Sequence, residues 1–398
     1  MKRLLFVAVL LSVTIAAMGQ KPSKKSLKRV DDALELSLEH SKYLYSLVEA
    51  DKKAMPQSIE KGELLTSNIA WWTSGFFPGT LWYLYESSGD ESLIAMADDV
   101  TERVLPQQYT KTHHDVGFML NCSAGNGYRL TGNQTYKSAL KNAAKSLSTR
   151  FSPSVGAIRS WDNPKWEYPV IIDNMMNLEL MFLASSMFDI PYYETIAVSH
   201  ADKTMQCHYR DDASCYHVID YDSKSGDVLS AVTHQGYADD SAWSRGQAWG
   251  LYGYVLMYRF TGDQKYLDWA GKITKFLVEH PNMPDDLVPY WDFDAPGIPN
   301  ALRDVSAASV ICSAWIEMSQ YLEGAESKAI FALAEKQLNS LMSDKYMEKT
   351  VGENCGFILK HSVGFMNKNS EIDVPLSYAD YYFVEALMRM KNYGSMRK

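Results

Sequence analysis

The chain has 398 residues, of which 46% are hydrophobic and 12% aromatic, enough for one large or two ordinary domains with a sizeable core. Its formal net charge of -9 argues against a nucleic-acid partner, which would require clustered basic residues. A small anionic ligand is not excluded, because the local charge of a pocket can oppose the charge of the whole protein.

The amino terminus has the pattern of a secretory signal peptide. Lys2 and Arg3 precede an uncharged apolar run from Leu4 to about Ala17, and small residues follow this run. The run is shorter than the roughly 20 residues that a membrane-spanning helix needs, and no comparable run recurs downstream. We therefore predict a signal peptide over residues 1–19 and a secreted or periplasmic protein without a membrane anchor.

Residues 20–398 are predicted to form one domain, because no Pro/Gly/Ser-rich linker or change of composition divides them. Apolar residues recur at three- and four-residue steps over residues 30–48, 134–147 and 175–188, a spacing that predicts amphipathic helices. Convincing alternating strands are scarce. The chain is therefore predicted to be mainly helical.

One turn pattern recurs between the predicted helices. A glycine or proline ends one helix, a polar residue caps the next, and an aromatic residue or alanine begins the next buried stripe. The pattern occurs at Gly89, Gly132 and Gly262, with looser copies at Pro191 and Gly324. The resulting helices, about ten to twelve, predict an all-α fold of six hairpins closed into a ring, an (α/α)6 barrel. Six hairpins in an open superhelix are the alternative.

The loops between the hairpins combine aromatic and charged residues at unusual density. Aromatic faces stack on sugar rings, and carboxylate, amide and guanidinium groups bind sugar hydroxyls and acids. The mixture is typical of a saccharide cleft, although tryptophans in a helical protein are often core residues. The segments concerned are Trp71 to Phe77, His113 to Phe118, Trp161 to Trp166, Asp173 to Asn177 and Thr233 to Tyr254.

Two aspartates stand at predicted helix starts. Asp115 opens a helical pattern that runs to Leu130, and Asp173 precedes an apolar helix, so each could be a simple helix N-cap. Two carboxylates in different surroundings can also supply one site with an acid and a charged partner, if nearby aromatic residues desolvate one of them. The adjacent His113 and His114 match no established metal-ligand spacing, so no metal is predicted.

The run from Thr233 to Gly250 is the most informative stretch. A polar loop passes into a helix on which Arg245 and Trp249 stand four residues apart and share a face. This pair is either a structural stack in the core or part of a binding site. The polar residues of the preceding loop favour the binding site.

Four motifs together carry the strongest functional signal. They are W-x-S-G-F-x-P-G-x-L-W from Trp72 to Trp82, H-D-V-G-F from His114 to Phe118, D-N-M-M-N from Asp173 to Asn177, and T-H-Q-G-Y-A-D-D-S-A-W-S-R-G-Q-A-W-G from Thr233 to Gly250. In these motifs the chain resembles the unsaturated glucuronyl hydrolases, glycoside hydrolase family 88. The resemblance covers nearly the whole chain after the signal peptide and implies the six-hairpin barrel.

The resemblance also implies an activity and a partner. The family removes a 4,5-unsaturated glucuronic acid from the non-reducing end of lyase-generated oligosaccharides, by hydrating the C4=C5 double bond and without a cofactor. By this resemblance Asp173 is the general acid and base, and Asp115 is the second essential carboxylate. The residues implied to line the sugar subsite are Trp72, His114, Trp161, His217, Gln235, Trp243, Arg245 and Trp249. For Trp72, the neighbouring Trp71 and the aromatic position at Phe77 are alternatives.

Several questions stay open at this point. An unsaturated rhamnogalacturonyl hydrolase would share the barrel and the chemistry, a non-catalytic glycan-binding protein would share the barrel, and a polysaccharide lyase would create an unsaturated product. Residues 360–368 do not clearly match the segment that some relatives use near a sulfate, so the sequence makes no prediction for or against a preference for sulfated fragments. Cys207 and Cys215 are the close cysteine pair that export could oxidise. The oligomeric state is not predicted.

Overall fold

The turns between helices have the geometry that the sequence predicts. In the computed structural model, which describes residues 21–395, Gly132 and Gly262 end helices with left-handed φ angles of 68° and 66°. The side chains of Asn133 and Asp263 then accept a backbone N–H at the start of the next helix. The predicted signal peptide over residues 1–19 lies outside the described residues.

Thirteen α-helices make up most of the described chain. Two of them, α4 and α5, run on as one rod through a π-helical turn over Asn121–Gly125. The helices are α1 Lys24–Val48, α2 Phe76–Ser88, α3 Ser92–Val104, α4 Val116–Leu120, α5 Asn126–Thr131, α6 Gln134–Ser148, α7 Asn174–Phe188, α8 Pro191–Cys207, α9 Ser244–Thr261, α10 Gln264–Glu279, α11 Val305–Tyr321, α12 Gly324–Leu341 and α13 Ser377–Lys391.

These helices form two concentric layers. The inner layer consists of α2, the α4–α5 rod, α7, α9, α11 and α13, and each of these packs against the next. Helix α13 packs against α2, so the ring is closed. The outer layer consists of α1, α3, α6, α8, α10 and α12, each packed against an inner helix. The predicted (α/α)6 barrel is therefore confirmed, and the open superhelix is wrong.

Burial patterns explain which helices are inside. Helix α11 is buried from Val305 to Gln320, because it contacts protein on all sides. Helix α10 buries a stripe at three- and four-residue spacing, including Tyr266, Ala270 and Ile273, and exposes its other face. A helix that is buried on all sides thus belongs to the inner layer, and a helix with a buried stripe and an exposed face belongs to the outer layer.

Short strands occupy the loops at one end of the ring. They are β1 Ala54–Glu60, β2 Glu63–Asn68, β3 Phe151–Ser152, β4 Ala157–Ile158, β5 Pro169–Ile171, β6 Val218–Tyr221, β7 Val228–Val232, β8 Val351–Asn354, β9 Ser362–Phe365 and β10 Ser370–Val374. Strands β5, β6 and β7 form an antiparallel sheet, and β9 pairs with β10. Most of these strands are too short to show the alternation of polar and apolar residues by which a sequence reveals a strand.

Two further observations concern the cysteines and the length of the apolar helices. All five cysteines have free thiols, Cys207 and Cys215 included. Within residues 21–395, none of the helices is long and apolar enough to cross a membrane.

A buried charge network joins the inner helices at their carboxyl-terminal ends. The Glu317 carboxylate accepts from Arg259 Nη2 at 2.6 Å, and Arg389 Nη1 lies 2.7 Å from it. The Tyr321 hydroxyl donates to the same carboxylate at 2.7 Å. Burial alone would raise the pKa of Glu317, but the charges of the two arginines outweigh it and lower the pKa to about 2. The network therefore ties α9, α11 and α13 together.

We expect Glu317→Gln to destabilise the barrel by about 3–5 kcal/mol, because the change leaves buried arginine charges without their partner. Urea unfolding followed by circular dichroism measures this loss, with Asp32→Asn in an exposed ion pair as the control that should change little. The stability that Glu317 contributes is present above its ordinary pKa and lost as the pH falls towards 2. A Glu317→Gln protein as stable as the Asp32→Asn protein would show that the network does not hold the ring.

Candidate active site

The candidate residues gather at the amino-terminal ends of the inner helices. Asp115 directly precedes α4, Asp173 precedes α7, Trp243 precedes α9 and Asp304 precedes α11. Helix amino termini carry partial positive charge and unsatisfied N–H groups. Their convergence at one mouth of the ring favours an anionic ligand there, although the protein as a whole carries a net charge of -9.

Strand pairing brings together the loops that carry these residues. His113 pairs with Trp161 in an antiparallel bridge. Strand β5, which ends just before Asp173, pairs with β6, which begins just after His217. The Ile172 N–H also donates to the His217 carbonyl at 3.1 Å. His217 is therefore held next to Asp173, 44 positions away in the sequence.

The motifs H-D-V-G-F and D-N-M-M-N contact each other directly. The Phe118 N–H donates to the Asn177 side-chain oxygen at 2.8 Å. A Cβ atom on Gly117 would lie 2.5 Å from that same oxygen, so a larger residue would push α4 and α7 apart. The two motifs thus hold the starts of these helices together and place Asp115 and Asp173 in one site.

Neither carboxylate serves as a side-chain cap. The side chains of Asp115 and Asp173 accept no hydrogen bond from the first turn of the helix that each precedes. An N-cap aspartate would accept such a bond, so the simple capping interpretation of these two residues is wrong. Both carboxylates are therefore free for another task.

Two histidines lie beside the Asp115 carboxylate. His113 Nδ1 lies 3.1 Å from Asp115 Oδ2, and His114 Nε2 lies 3.4 Å from Asp115 Oδ1. Burial alone would raise the pKa of Asp115, but interactions with His114 and His113 outweigh it and lower the pKa below its ordinary value. This carboxylate carries its charge throughout the neutral pH range.

Asp173 has the opposite shift. Its side chain is 11% exposed, and burial raises its pKa to about 7. The Arg245 charge opposes this rise, the Asp115 charge adds to it, and the Trp249 indole N–H opposes it. The site therefore holds one charged carboxylate and one carboxyl group that carries a proton near neutral pH, which is the pairing that acid–base chemistry requires.

The eight residues predicted to line the sugar subsite fall into two groups. Trp72, Trp161 and Gln235 are partly exposed, so the cleft can reach them. The other five are buried, and the structure shows them in contact with protein: His114, His217, Trp243, Arg245 and Trp249. Direct contact between these five and a sugar stays a prediction.

Trp71 and Trp72 have different surroundings, and the assignment of Trp72 to the sugar subsite stays a prediction. The Trp72 ring packs 4.9 Å from the Tyr378 ring and 5.7 Å from the Phe118 ring, measured between centroids. The Trp249 ring packs against the same Phe118 ring, at 5.3 Å between centroids. Trp71 is 44% exposed and has no part in this cluster.

Arg245 has a different environment from the one its sequence predicts. Its side chain is 1% exposed, and Nη1 lies 2.8 Å from Asp304 Oδ2. Nη1 and Nη2 also donate to the carbonyl oxygens of Val363 and Gly364, each at 2.6 Å. Gln235 Nε2 donates to the Gly364 carbonyl as well, at 3.1 Å. The structure thus shows Arg245 fixing strand β9 beside the site, while its charge still acts on Asp173.

We expect Arg245→Lys to lower kcat/KM and the melting temperature together, because a single ammonium cannot make the same set of bonds. Arg245→Ala should lower kcat/KM by about 10- to 150-fold and lower the melting temperature further, because the charge-assisted hydrogen bonds that hold β9 beside the site are lost. Asp304→Asn is the matched variant, since it weakens the same ion pair and keeps the arginine. If Arg245→Lys lost activity at an unchanged melting temperature while Asp304→Asn stayed active, Arg245 would be a direct substrate contact.

Several residues at the site were not predicted from the sequence. The His234 ring lies 4.9 Å from Phe365 and 5.6 Å from Trp161, and Trp166 lies 5.7 Å from Trp161. His234 and Trp166 belong to segments that the aromatic density already marked, so that signal could have found them. Phe365 carries no such signal, because it reaches the site through the long-range pairing of β9.

Within residues 21–395, no cluster of three or more histidine, cysteine, aspartate or glutamate side chains has the arrangement of a metal site.

Comparison with known proteins gives one consistent result. The chain is 46% identical to an unsaturated glucuronyl hydrolase of Formosa agariphila over 324 residues, which cover 81% of this chain and 80% of that protein. A crystal structure of an unsaturated glucuronyl hydrolase specific for heparin matches with a TM-score of 0.88 and 46% identity, covering 91% of this chain and 97% of the other. No family model matches the chain.

A further solved structure contains a bound sugar. It is an aspartate-to-asparagine variant of the unsaturated glucuronyl hydrolase of Streptococcus agalactiae, in complex with dGlcA-GalNAc6S. The TM-score is 0.76 at 28% identity, and the match covers 93% of this chain and 96% of the other.

Proposed function

The chain belongs to the unsaturated glucuronyl hydrolases, and from this membership we propose that it removes the 4,5-unsaturated glucuronic acid from the non-reducing end of lyase-generated glycosaminoglycan oligosaccharides. The observation that carries the proposal is the pair of carboxylates with opposite pKa shifts at the mouth of the ring. Burial raises the pKa of Asp173 to about 7, whereas the neighbouring histidines outweigh burial and lower the pKa of Asp115. Hydrating an enol ether needs an acid that protonates the double bond and a group that stabilises the positive charge developing on the substrate.

The reaction uses Asp173 twice. The protonated carboxyl group of Asp173 gives its proton to C4 of the double bond, and positive charge develops at C5 and the ring oxygen. The resulting carboxylate takes a proton from a water molecule as its oxygen adds to C5, which restores the acid. The hemiketal then opens and the remaining sugar leaves. Because the bond breaks through hydration of an alkene, the separation of the two carboxylates does not predict retention or inversion.

Asp115 supplies negative charge and stays ionised during this cycle. A fixed anion next to the site stabilises the positive charge that develops when C4 is protonated. The same charge raises the pKa of Asp173 and so keeps the proton available at neutral pH. Asp115 therefore keeps Asp173 protonated before the reaction and stabilises the positive charge of the transition state.

The mouth of the ring suits an anionic sugar. The partly exposed rings of Trp72 and Trp161 provide faces on which a pyranose can stack. The amino termini of the inner helices provide N–H groups and partial positive charge for the uronate carboxylate. The substrate in the Streptococcus agalactiae complex, dGlcA-GalNAc6S, has this chemistry.

We also propose that residues 20–398 act as one catalytic domain in an exported protein. The support is the sequence pattern of Lys2, Arg3 and the apolar run that follows them, together with the absence of a linker composition later in the chain.

A panel of lyase-generated disaccharides tests the proposed function. We expect release of the unsaturated uronate from disaccharides of the hyaluronan, chondroitin or heparin type. Turnover of rhamnogalacturonan disaccharides alone would instead identify the pectin-directed activity. No turnover of any member of the panel by folded protein would identify a glycan-binding barrel.

A further inference from the structure

The protonation state of His217 can be read from its contacts. The backbone N–H groups of His234 and Gln235 both donate to His217 Nδ1, each at 3.1 Å. A ring nitrogen that accepts hydrogen bonds carries no proton, and a neutral imidazole carries one proton in total. The proton of His217 is therefore on Nε2. Two backbone amides, which cannot change their role, fix this tautomer.

Surrounding groups keep the ring neutral. The His217 residue is 3% exposed, and its ring packs 4.5 Å from the Trp243 ring. Burial, followed by the charges of His234 and Arg245, lowers the pKa of His217 well below its ordinary value. The imidazole therefore acts as a donor through Nε2 and does not act as a base.

The Nε2–H group of His217 faces the carboxyl group of Asp173. His217 Nε2 lies 3.7 Å from Asp173 Oδ2. Neither atom forms a hydrogen bond with another described residue, although both are buried. A distance of 3.7 Å is too long for a hydrogen bond, and catalytic contacts are often this loose before substrate binds. A shift of less than about 1 Å would bring donor and acceptor into range.

We propose that His217 is a positioning residue that donates from Nε2 to Asp173 Oδ2 when Asp173 is ionised. The donor stabilises the carboxylate formed after C4 has taken the proton, and it turns the other oxygen, Oδ1, towards the attacking water. No proton leaves His217, so the balance of the hydration step is unchanged. This inference rests on the proposed function.

Other ionisable groups surround the pair and must be kept constant in a test. Those facing Asp173 or His217 from the neighbouring elements are Asp115, His114, His208, His234, Arg245 and Tyr378. The Cys215 thiol also lies near Asp173, and burial raises its pKa, so it stays uncharged. A substitution at His217 replaces none of these side chains.

Two substitutions separate the two nitrogens of His217. An asparagine amide places an acceptor near the position of Nδ1 and nothing near Nε2, whereas a glutamine amide places a donor near Nε2. We expect His217→Asn to lower kcat by about 10- to 100-fold, with KM changed much less, because a hydrogen bond to a charged group is lost. The alkaline limb of its kcat/KM profile should move up by about one pH unit, because the ionised acid has lost a donor. In His217→Gln the limb should stay near its wild-type position.

The matched control is His280→Asn. The Nδ1 atom of His280 also accepts a backbone N–H, that of Asn282 at 3.2 Å, but this ring packs against Phe276 and Phe293, at 5.2 and 4.8 Å between centroids. This variant should keep the wild-type pH profile. A His217→Asn enzyme with wild-type kcat and an unmoved alkaline limb would overturn the proposal. So would one whose KM rose at constant kcat, since that result marks a direct sugar contact.

A second measurement does not depend on the variants folding. The ¹⁵N spectrum of histidine-labelled wild-type protein reports which ring nitrogen carries the proton. We expect the ring signals of His217, linked through bonds to the assigned backbone of this residue, to show a neutral imidazole with an unprotonated Nδ1 across the active pH range. A protonated Nδ1 at this residue would overturn the proposal even if the enzyme is active. Absence of any turnover by the wild type would instead reject the proposed function.

Discussion

Replacing Asp173 by asparagine is expected to lower the turnover rate by a factor of at least about 10² to 10⁴, because the amide can neither give a proton to C4 nor take one from water. The fold should survive, since the Asp173 side chain makes no capping bond that could be lost. The pKa of Asp173 is raised to about 7, so the folded protein binds more protons here than the unfolded chain does between pH 3.8 and about 7. Ionised Asp173 therefore costs stability above that range, and the variant should melt no lower than the wild type at alkaline pH.

Steady-state kinetics and thermal melting of Asp173→Asn measure both effects. Asp263→Asn is the matched control, because Asp263 also precedes a helix, is exposed, and can be replaced by another good N-cap residue. In the wild type, kcat/KM should fall as the pH rises through about 7, where Asp173 loses its proton. Folded Asp173→Asn protein with near-wild-type turnover would exclude Asp173 as the acid.

Replacing Asp115 by asparagine should also impair the enzyme severely, but the pH profile should reveal a different role. The alkaline limb should persist, because it belongs to Asp173. It should move to lower pH, because the Asp115 charge contributes to the raised pKa of Asp173 and the asparagine removes that charge. Any acid limb due to Asp115, whose pKa is lowered from 3.8, should disappear.

The kcat/KM profiles of the two variants, measured over the same pH range, make this distinction. The roles would be reversed if Asp115→Asn erased the alkaline limb while an Asp173 variant kept it. A control for the geometry is available in Asn177, whose side-chain oxygen accepts from the Phe118 N–H. Loss of that contact should lower activity through displacement of both helix starts, without erasing the alkaline limb.

Local chemistry explains what could be predicted from the sequence. Gly132 and Gly262 mark helix ends because left-handed φ angles favour glycine, and that requirement does not depend on distant residues. Asp115 and Asp173 stand at helix starts, so their common location follows once the inner helices are known to run in the same direction. The barrel and the carboxylate pair were therefore within reach of sequence reasoning.

Long-range contacts explain what could not be predicted. Arg245 meets Asp304 and the carbonyl of Gly364 across 59 and 119 positions of the chain, so its burial could not be read from its own motif. The tautomer of His217 depends on two amides 17 and 18 positions away, in a loop without regular structure. The short strands that set these contacts contain too few residues to leave a pattern.

The most direct test of hydration by Asp173 follows the alkene absorbance of an unsaturated glycosaminoglycan disaccharide while the released sugar is measured in the same reaction. We expect the absorbance to fall in step with release of the sugar, at equal molar amounts, and both changes to be lost with the Asp173→Asn protein. Release of the sugar with the alkene intact would mean ordinary glycoside hydrolysis. A rise in absorbance on intact polysaccharide would mean a lyase, and either result would contradict hydration of the double bond by Asp173.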